Sequence, residues 1–268
     1  MRISKIPLEI FTHITFRTNK LIIGNILLIA ESFRIKIKPN GSFTHLQIRN
    51  LRKNGITTLH NFTTIDTVRI LRQQIEQLLH SDNSEIKRNS DIRIFNAEQF
   101  SPQILEFHDD RFTNRIGSRY LGFPIVPIST LANIVPISES EIGSGGSWHR
   151  DANYPQFKAL MYLNDVNSPD DGAFQYIPGS HRFSHVLKGL VALKHNVLTT
   201  RWTVDQVSNF YKQSPVSILG NAGTLVIFDT SLLHRGAPNN RPMGQPRYAI
   251  TNYYRPKFTK IGIQQSYV

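Results

Sequence analysis

Two kinds of hydrophobic pattern divide the chain into a helical part followed by a β-rich part. After Thr63 or Thr64, either of which can cap a helix with Asp66 in its first turn, apolar residues recur at helical spacing. The predicted buried face of this helix comprises Ile65, Val68, Leu71, Ile75, Leu78 and Leu79. A second helix is predicted to begin at Ser101-Pro102, where proline suits the first helical turn. Its predicted buried residues are Leu105, Phe112, Ile116 and Tyr120.

From about residue 123 the pattern changes to short β-type runs separated by turns rich in Gly, Pro, Asp and Ser. The predicted strands cover 131–137, 157–163, 173–177, 224–228 and 248–254. A short strand at 56–59 precedes the first helix, and a helix capped by Thr203 interrupts the later strands. Many short strands with such turns are typical of a sandwich or jelly roll. The predicted fold is therefore α+β and mainly β, a double-sheet jelly roll supported by N-terminal helices.

The length of 268 residues suits a single domain, 1–268. Residues 1–50 read as short strands or a helix joined by turns, with a firm turn at Pro39-Asn40-Gly41. The apolar run 21–30 is too short to span a bilayer as a helix and lacks the pattern of a signal peptide. We expect it to be a buried segment, with peripheral membrane contact as the alternative, and we expect a cytoplasmic protein.

Composition narrows the chemistry further. The chain contains no cysteine, so any metal must be bound by nitrogen and oxygen ligands. The formal net charge of +12 favours anionic partners, which include nucleic acid, acidic lipid surfaces and small phosphorylated or carboxylated substrates. No run of five or more Lys or Arg residues is present, which argues against a dedicated nucleic-acid arm.

Candidate metal ligands occur in two places that are far apart in the sequence. His149 and Asp151 follow a Gly/Ser-rich turn and are two residues apart, so in extended backbone their side chains project to the same side. His234 follows an apolar strand 83 residues after Asp151 (234 − 151). Two imidazoles and one carboxylate form the facial triad of non-haem iron(II) oxygenases. A second His-x-Asp pair, His108 and Asp110, falls inside the predicted second helix, where the side chains would diverge, so His108 is predicted to be a surface histidine.

These residues belong to a longer series of ordered motifs. It runs through Trp148-His149-Arg150-Asp151, Ala159-Leu160-Met161-Tyr162-Leu163-Asn164-Asp165, Asp171-Gly172-Ala173-Phe174-Gln175-Tyr176-Ile177-Pro178-Gly179-Ser180-His181, Gly223-Thr224, His234-Arg235-Gly236-Ala237-Pro238-Asn239 and Arg247-Tyr248. In order and spacing the series resembles the phytanoyl-CoA dioxygenase family of iron(II)- and 2-oxoglutarate-dependent oxygenases. The resemblance covers a core of residues 51–256 and leaves 1–50 as an N-terminal extension of unclear role.

The resemblance implies a double-stranded β-helix in which His149, Asp151 and His234 bind Fe(II) and Arg247 binds the C5 carboxylate of 2-oxoglutarate. It implies oxidative decarboxylation of 2-oxoglutarate to succinate and CO2, coupled to hydroxylation of a small or lipid-like, possibly anionic, molecule. Related halogenases replace the metal-binding carboxylate with a small residue, so Asp151 favours hydroxylation or desaturation.

Two positions near these motifs leave alternatives open. Where some such oxygenases place a second hydroxyl donor to the carboxylate, two residues after the arginine, this chain has Ala249, so Thr251 or Asn133 would have to serve instead. The histidine of the 178–181 turn is predicted to fasten neighbouring loops rather than to bind metal.

Two hypotheses of other classes compete with the oxygenase. A catalytically silent jelly-roll protein could keep the pocket without turnover, although the complete triad and Arg247 weigh against it. A basic protein that binds membrane surfaces or nucleic acid is suggested by the net charge and the apolar run 21–30.

Overall fold

The computed structural model describes residues 43–80, 85–88, 90–138, 145–193, 199–240 and 244–257. The helices are α1 (Phe43–Asn54), α2 (Ile65–Leu79), α3 (Pro102–His108), α4 (Arg111–Leu121), α5 (Phe183–Ala192) and α6 (Val204–Phe210), with a 3-10 turn at Ala97–Gln99. The strands are β1 (Ile56–Leu59), β2 (Ile86–Arg88), β3 (Ile92–Ile94), β4 (Ile125–Val135), β5 (Phe157–Tyr162), β6 (Phe174–Tyr176), β7 (Val216–Ile218), β8 (Leu225–Asp229), β9 (His234–Gly236) and β10 (Arg247–Pro256).

The strands form two antiparallel sheets. The larger one has seven strands in the order β1-β8-β5-β10-β4-β3-β2, and the smaller one has the order β7-β6-β9. Several strand neighbours are far apart in the sequence, as β5 between β8 and β10 illustrates. This mainly β architecture with flanking helices confirms the predicted jelly roll.

Alternation along the strands of the large sheet separates two apolar layers, as β5 shows. Phe157, Ala159 and Met161 belong to the layer that packs the sheet against the helices. Leu160 and Tyr162 belong to a second layer shared with β6 of the small sheet. Because successive side chains of a strand point to opposite faces, Lys158 lies on the same inner face as Leu160 and Tyr162. The inner face of the large sheet therefore carries both the core of the roll and the polar groups of its interior.

The predicted second helix is in fact two helices. The chain breaks at Asp109-Asp110 because the Asp110 carboxylate accepts a hydrogen bond from the Thr113 backbone N–H, 2.7 Å away, and so caps a new helix, α4. Ile116 and Tyr120 are buried as predicted, but Leu105 is 43% exposed.

His108 was also predicted wrongly, because it is not a surface histidine. It ends α3, is partly buried, and its Nδ1 lies 3.0 Å from the Thr130 hydroxyl. Its partner in the His-x-Asp pair, Asp110, caps the next helix, so the two residues serve separate structural roles.

The first predicted helix is confirmed as α2, with Thr64 as its cap and Val68, Leu71 and Ile75 buried. Ile65, however, is 59% exposed. Four strands were not predicted, because each has only three residues and so shows little periodicity: β2, β3, β7 and β9. The helix α5 was not predicted either.

The predictions for residues 1–42, including the apolar run 21–30 and the turn at Pro39-Asn40-Gly41, lie outside the described residues. Within the part of the chain that the structure describes, no helix is both long and apolar enough to cross a membrane.

Gly55 connects α1 to β1 with a φ of +83°. A Cβ atom there would lie 2.6 Å from Nδ1 of His181 and 2.7 Å from Cδ1 of Leu232. We expect Gly55→Ala to lower the free energy of unfolding by about 2–4 kcal/mol, since left-handed backbone and overpacking each cost about 1–2 kcal/mol or more. Urea denaturation would measure the loss. Gly145→Ala is the matched control, because nothing lies within 4 Å of its added Cβ; equal stability of the two variants would contradict the argument.

Candidate metal centre

The backbone brings the two predicted ligand segments side by side. The backbone N–H of His149 donates to the carbonyl of His234, and the N–H of His234 donates to the carbonyl of His149, both at 2.9 Å. The N–H of Asp151 donates to the carbonyl of Thr230 at 3.0 Å. On the other side of the segment, the N–H of Arg150 donates to the carbonyl of Thr200 at 2.8 Å. The His-x-Asp segment is thus an additional strand beside β9, and strand pairing sets the spacing of the ligands.

The three side chains converge on one point. Nε2 of His149 lies 3.8 Å from Oδ1 of Asp151, and Nε2 of His234 lies 3.9 Å from Oδ2 of the same carboxylate. One ligand atom from each residue can be chosen so that all three lie within 4.8 Å of one another. Two imidazole nitrogens and a carboxylate oxygen at this spacing could hold a metal ion of the iron class.

Hydrogen bonds fix how both imidazoles face this point. Nδ1 of His149 lies 2.7 Å from the carbonyl of Ser147, and Nδ1 of His234 lies 2.8 Å from the carbonyl of Leu232. A carbonyl only accepts, so each Nδ1 carries the proton and donates it. The lone pair of each neutral ring is then on Nε2, the atom nearest the carboxylate, which is how backbone carbonyls orient metal-binding histidines.

The charge states also suit metal binding. Burial, followed by the neighbouring His149, lowers the pKa of His234 to about 3. Burial likewise lowers the pKa of His149. For Asp151 burial acts to raise the pKa, but Lys158, His234 and His149 together bring it well below its usual range. At neutral pH the centre therefore presents two uncharged imidazoles and a carboxylate, the forms that bind a metal.

Lys158 is a polar neighbour of the triad that the sequence analysis missed. Its ammonium lies 2.8 Å from Oδ2 of Asp151 and 4.0 Å from the ring centre of Tyr253. The only sequence signal was a charged residue at an inner-face position of β5, between apolar neighbours. By holding Oδ2, Lys158 leaves Oδ1 of Asp151 free to bind a metal.

Arg150, the middle residue of the His-x-Asp segment, points away from the centre and is fully buried, with 1% exposure. Its Nη1 donates to the carbonyl of Ser180 at 2.9 Å and to the carbonyl of Ser231, and its Nη2 donates to the Tyr211 hydroxyl at 2.8 Å. Ser231 lies in the loop that leads to His234. Arg150 therefore ties the His149–Asp151 segment to the loop that positions the third ligand.

The 178–181 turn lies beside Arg150 and has the structural role that the sequence predicted. The Ser180 hydroxyl accepts from the backbone N–H of Leu233 at 2.8 Å, and Nε2 of His181 lies 3.2 Å from the carbonyl of Arg52. His181 is thus a fastening residue.

Replacing Arg150 by methionine should weaken metal binding by about 10- to 100-fold, the range found when groups that orient metal ligands are lost. Calorimetric titration with Ni(II) would measure the dissociation constant of the folded protein. Arg150→Lys, which keeps one charged donor, should recover part of the loss. A methionine variant with lower thermal stability but wild-type affinity for Ni(II) would limit Arg150 to a purely structural role.

Arg247 begins β10 and is buried on the inner face of the large sheet. Its Nη1 donates to the carbonyl of Gly172 at 3.1 Å, and its Nη2 donates to Oδ1 of Asn133 at 2.8 Å. Nε of Arg247 is buried and has no hydrogen-bond partner among the described residues. A buried guanidinium without a carboxylate contact and with a free N–H is suited to receive an anionic ligand.

The two alternatives for a second donor differ in their contacts. Asn133 is engaged at both ends of its amide, since Oδ1 accepts from Arg247 and Nδ2 donates to Oδ2 of Asp91 at 2.8 Å. Thr251 lies four residues after Arg247 on the same face of β10 and pairs with Leu131 and Leu160 on the adjacent strands. Asn133 orients the arginine, and Thr251 lies on the same inner face of the large sheet.

A separate polar cavity of about 690 Å³ lies between α2 and the loop after β5. Arg69, Arg72, Glu76, Asp165 and Asp171 are among the residues that line it. The lining of this cavity includes neither the triad residues nor Arg247. Despite its volume, the cavity is therefore separate from the candidate metal centre.

Comparisons with known proteins agree with this geometry. The family model described as phytanoyl-CoA dioxygenase (PhyH) matches residues 51–242. An ectoine dioxygenase from Nocardia farcinica is 21% identical over 220 residues, which are 73% of this chain and 73% of that protein.

Solved structures show the same fold at low identity. The epimerase SnoN, in complex with Fe3+, alpha ketoglutarate and nogalamycin RO, superposes with a TM-score of 0.63 at 15% identity, covering 80% of this chain and 83% of its own. HygX from Streptomyces hygroscopicus, with nickel, 2-oxoglutarate and hygromycin B bound, gives a TM-score of 0.57 at 17% identity, covering 80% and 87%.

The matching segment of the family model includes both ligand-bearing strands and extends over more than half of the chain. The chain therefore belongs to the phytanoyl-CoA dioxygenase family and is a non-haem iron- and 2-oxoglutarate-dependent dioxygenase.

Proposed function

We propose that this protein hydroxylates a small molecule, with Fe(II) held by His149, Asp151 and His234 and with succinate and CO2 as co-products. The observation that carries the proposal is the convergence of the two Nε2 atoms and the Asp151 carboxylate within 4.8 Å, with both imidazoles oriented by backbone carbonyls. A facial triad occupies one face of the metal and leaves positions open for a keto acid and oxygen.

Arg247 is proposed to bind the C5 carboxylate of 2-oxoglutarate. Its unpartnered Nε and its fixation by Gly172 and Asn133 give a guanidinium that is ready to donate without moving. Ala249 keeps the next position on this face small, and Thr251 is the better placed second donor because the Asn133 amide is already engaged. 2-Oxoglutarate is a dianion. Bound between Arg247 and the metal, it would have the guanidinium charge at one end and the metal cation at the other.

Bound iron and 2-oxoglutarate together would supply the oxidising power that a C–H bond requires, and the chain itself supplies the geometry. Lys158 would keep Asp151 in a single orientation, and the apolar inner layer around Phe174 and Phe228 would limit access of water to His234. Retention of the carboxylate at position 151 favours hydroxylation or desaturation over halogenation. Since SnoN is an epimerase, the fold alone does not decide the reaction.

The experiment is succinate formation from 2-oxoglutarate with Fe(II) and ascorbate, measured with a panel of small-molecule acceptors. Mass spectrometry should detect a product sixteen daltons heavier than its acceptor. No succinate above the metal-free control would favour the alternative of a catalytically silent binding protein. An acceptor that changes in configuration but not in mass would exclude hydroxylation.

Several further proposals rest on the sequence. We propose residues 51–256 as the catalytic unit, residues 1–50 as an extension of it, and a cytoplasmic location. A membrane-surface or nucleic-acid role has the net charge of +12 and the apolar run 21–30 in its favour. Salt-sensitive binding to anionic vesicles or to DNA would be needed to support it.

A further inference from the structure

The segment that joins β8 to β9, residues 229–234, contacts both parts of the metal centre. The carbonyl of Thr230 accepts from the backbone N–H of Asp151 at 3.0 Å, and the carbonyl of Leu232 lies 2.8 Å from Nδ1 of His234. We call this segment the ligand loop. One carbonyl aligns the strand that carries the carboxylate, and the other sets the orientation of an imidazole. The path of the ligand loop therefore determines how two of the three candidate ligands face the centre.

The carboxylate of Asp229 holds the ligand loop from within the core. Its Oδ1 accepts from the backbone N–H of Ser231 at 2.8 Å and from the Ser231 hydroxyl at 2.7 Å. Its Oδ2 accepts from the hydroxyl of Tyr120, on α4, at 2.6 Å. All three residues are at most 1% exposed. In the chain Ser231 stands between the two residues whose carbonyls align the ligands, so the carboxylate fixes the residue on which both carbonyls depend.

A cation holds the same serine through its carbonyl. Nη1 of Arg150 donates to the carbonyl of Ser231, whereas the N–H and the hydroxyl of Ser231 donate to Asp229. Burial lowers the pKa of Arg150, and the negative charge of Asp229 is among the influences that act to raise it. The N–H, the hydroxyl and the carbonyl of Ser231 are thus engaged by two buried side chains of opposite charge.

A buried carboxylate is a costly group for a protein core. Burial raises the pKa of Asp229, because the charged form loses its hydration, and the hydrogen bonds from Tyr120 and Ser231 act in the opposite direction. The other four residues of β8 are apolar and also buried, so packing alone does not require a charge at the end of this strand. What Asp229 provides beyond an apolar side chain is its set of contacts to Tyr120 and to the ligand loop.

We infer that Asp229 is a positioning residue of the metal centre, which acts through Ser231 on the carbonyls that align Asp151 and His234. The inference rests on the proposed function, because it concerns the metal ligands proposed there. Without the carboxylate, Ser231 loses the acceptor of both its N–H and its hydroxyl, and the ligand loop is free to change its path. The three ligand atoms are then no longer held at the spacing that a metal ion requires.

The test is Co(II) binding to the full chain, with the dissociation constant measured by calorimetry and the ligand geometry by the visible absorption of the bound Co(II). Asp229→Ala should weaken Co(II) binding by about 10- to 100-fold, the range found when groups that orient metal ligands are lost, and should change the absorption spectrum. Asp229→Asn should recover most of both, because its amide oxygen can accept from Ser231 and its amide nitrogen can donate to the Tyr120 hydroxyl. A folded Asp229→Ala protein with wild-type affinity and spectrum would overturn the inference.

Thr113→Val is the matched control, because it also removes a buried polar contact. The Thr113 hydroxyl lies 3.0 Å from the hydroxyl of Tyr254, and Thr113 is 0% exposed. Thermal unfolding followed by circular dichroism measures the stability of each variant. We expect Thr113→Val to lose stability but to keep the wild-type Co(II) affinity and spectrum. An equal loss of Co(II) affinity in Thr113→Val and Asp229→Ala would show a general effect of core damage and would overturn the positioning role.

Ser231→Ala keeps the test decisive if Asp229→Ala does not fold. It removes one of the two contacts to Oδ1 and leaves the buried carboxylate in place. We expect it to weaken Co(II) binding about three- to tenfold, the effect of one ordinary hydrogen bond. Wild-type Co(II) affinity and spectrum in Ser231→Ala would then overturn the inference.

The two proposals fail in different ways. If the wild-type protein binds Co(II) but forms no succinate with Fe(II) under any condition, the proposed function fails, and the Co(II) measurements still decide the role of Asp229. If it forms succinate and Asp229→Ala keeps wild-type Co(II) binding, only the positioning role fails.

Discussion

His234→Ala is expected to lower iron-dependent turnover of 2-oxoglutarate by more than about 100-fold, the largest loss usual for a residue that only supports a metal ligand. The imidazole is proposed to supply one of three protein ligands, and alanine would leave no nitrogen or oxygen at that position. His149→Ala and Asp151→Ala are expected to behave alike, because the triad acts as a unit. Succinate formation measures turnover, and circular dichroism shows whether the fold is retained.

The second His-x-Asp pair provides the control for this prediction. His108→Ala alters a histidine with the same spacing to an aspartate, but its Nδ1 lies beside the Thr130 hydroxyl and not beside a second imidazole. We expect the His108 variant to form succinate at the wild-type rate. A folded His234→Ala protein with more than a tenth of wild-type turnover would remove His234 from the metal centre.

Arg247→Met is expected to raise the KM for 2-oxoglutarate by at least about 30-fold, since the loss of a buried, charge-assisted contact to a carboxylate costs about 2 kcal/mol or more. The expected kcat at saturating co-substrate falls much less, because Arg247 is proposed to bind the C5 carboxylate and not the reacting end of the keto acid. Steady-state kinetics with varied 2-oxoglutarate separate the two parameters.

Two further variants make the test of Arg247 specific. Arg247→Lys keeps the charge but loses the two-pronged geometry of the guanidinium, so an intermediate KM is expected. Arg255→Met alters an arginine near the far end of the same strand, where Nη1 donates to the carbonyl of Pro256 at 3.3 Å, and should leave the KM unchanged. An unchanged KM in Arg247→Met would assign the carboxylate clamp to another residue.

Both predictions concern residues that the sequence singled out without the structure. Local pattern made His149 and Asp151 candidates, because a spacing of two on strand-like backbone directs both side chains to the same side. The roles of His234 and Arg247 came from the resemblance to the family. The convergence of His149 with His234 needed more than local pattern. It came from the ordered motifs of the family, and strand pairing between the two segments provides the physical cause.

Capping chemistry decided where the sequence analysis of the helices succeeded and where it failed. Thr64, one of the two predicted candidates, caps α2 by accepting a hydrogen bond from the backbone N–H of Thr67. In the second helical region Asp110 caps a new helix inside an apolar repeat that periodicity alone reads as continuous. A hydrophobic pattern records which face is buried, and it does not record a change of axis between two short helices.

The sequence by itself determined the fold class and predicted the metal-ligand types and four candidate site residues, since these depend on local spacing, on residue chemistry and on the ordered motifs of the family. Only the tertiary structure decided the roles of Lys158 and Arg150. Lys158 meets Asp151 because β5 pairs with β8 and the Asp151 backbone N–H bonds to the carbonyl of Thr230, just after β8. Arg150 meets Ser231 across 81 residues of chain. Such contacts arise from the pairing of distant strands, and that pairing leaves no periodic signal in the sequence.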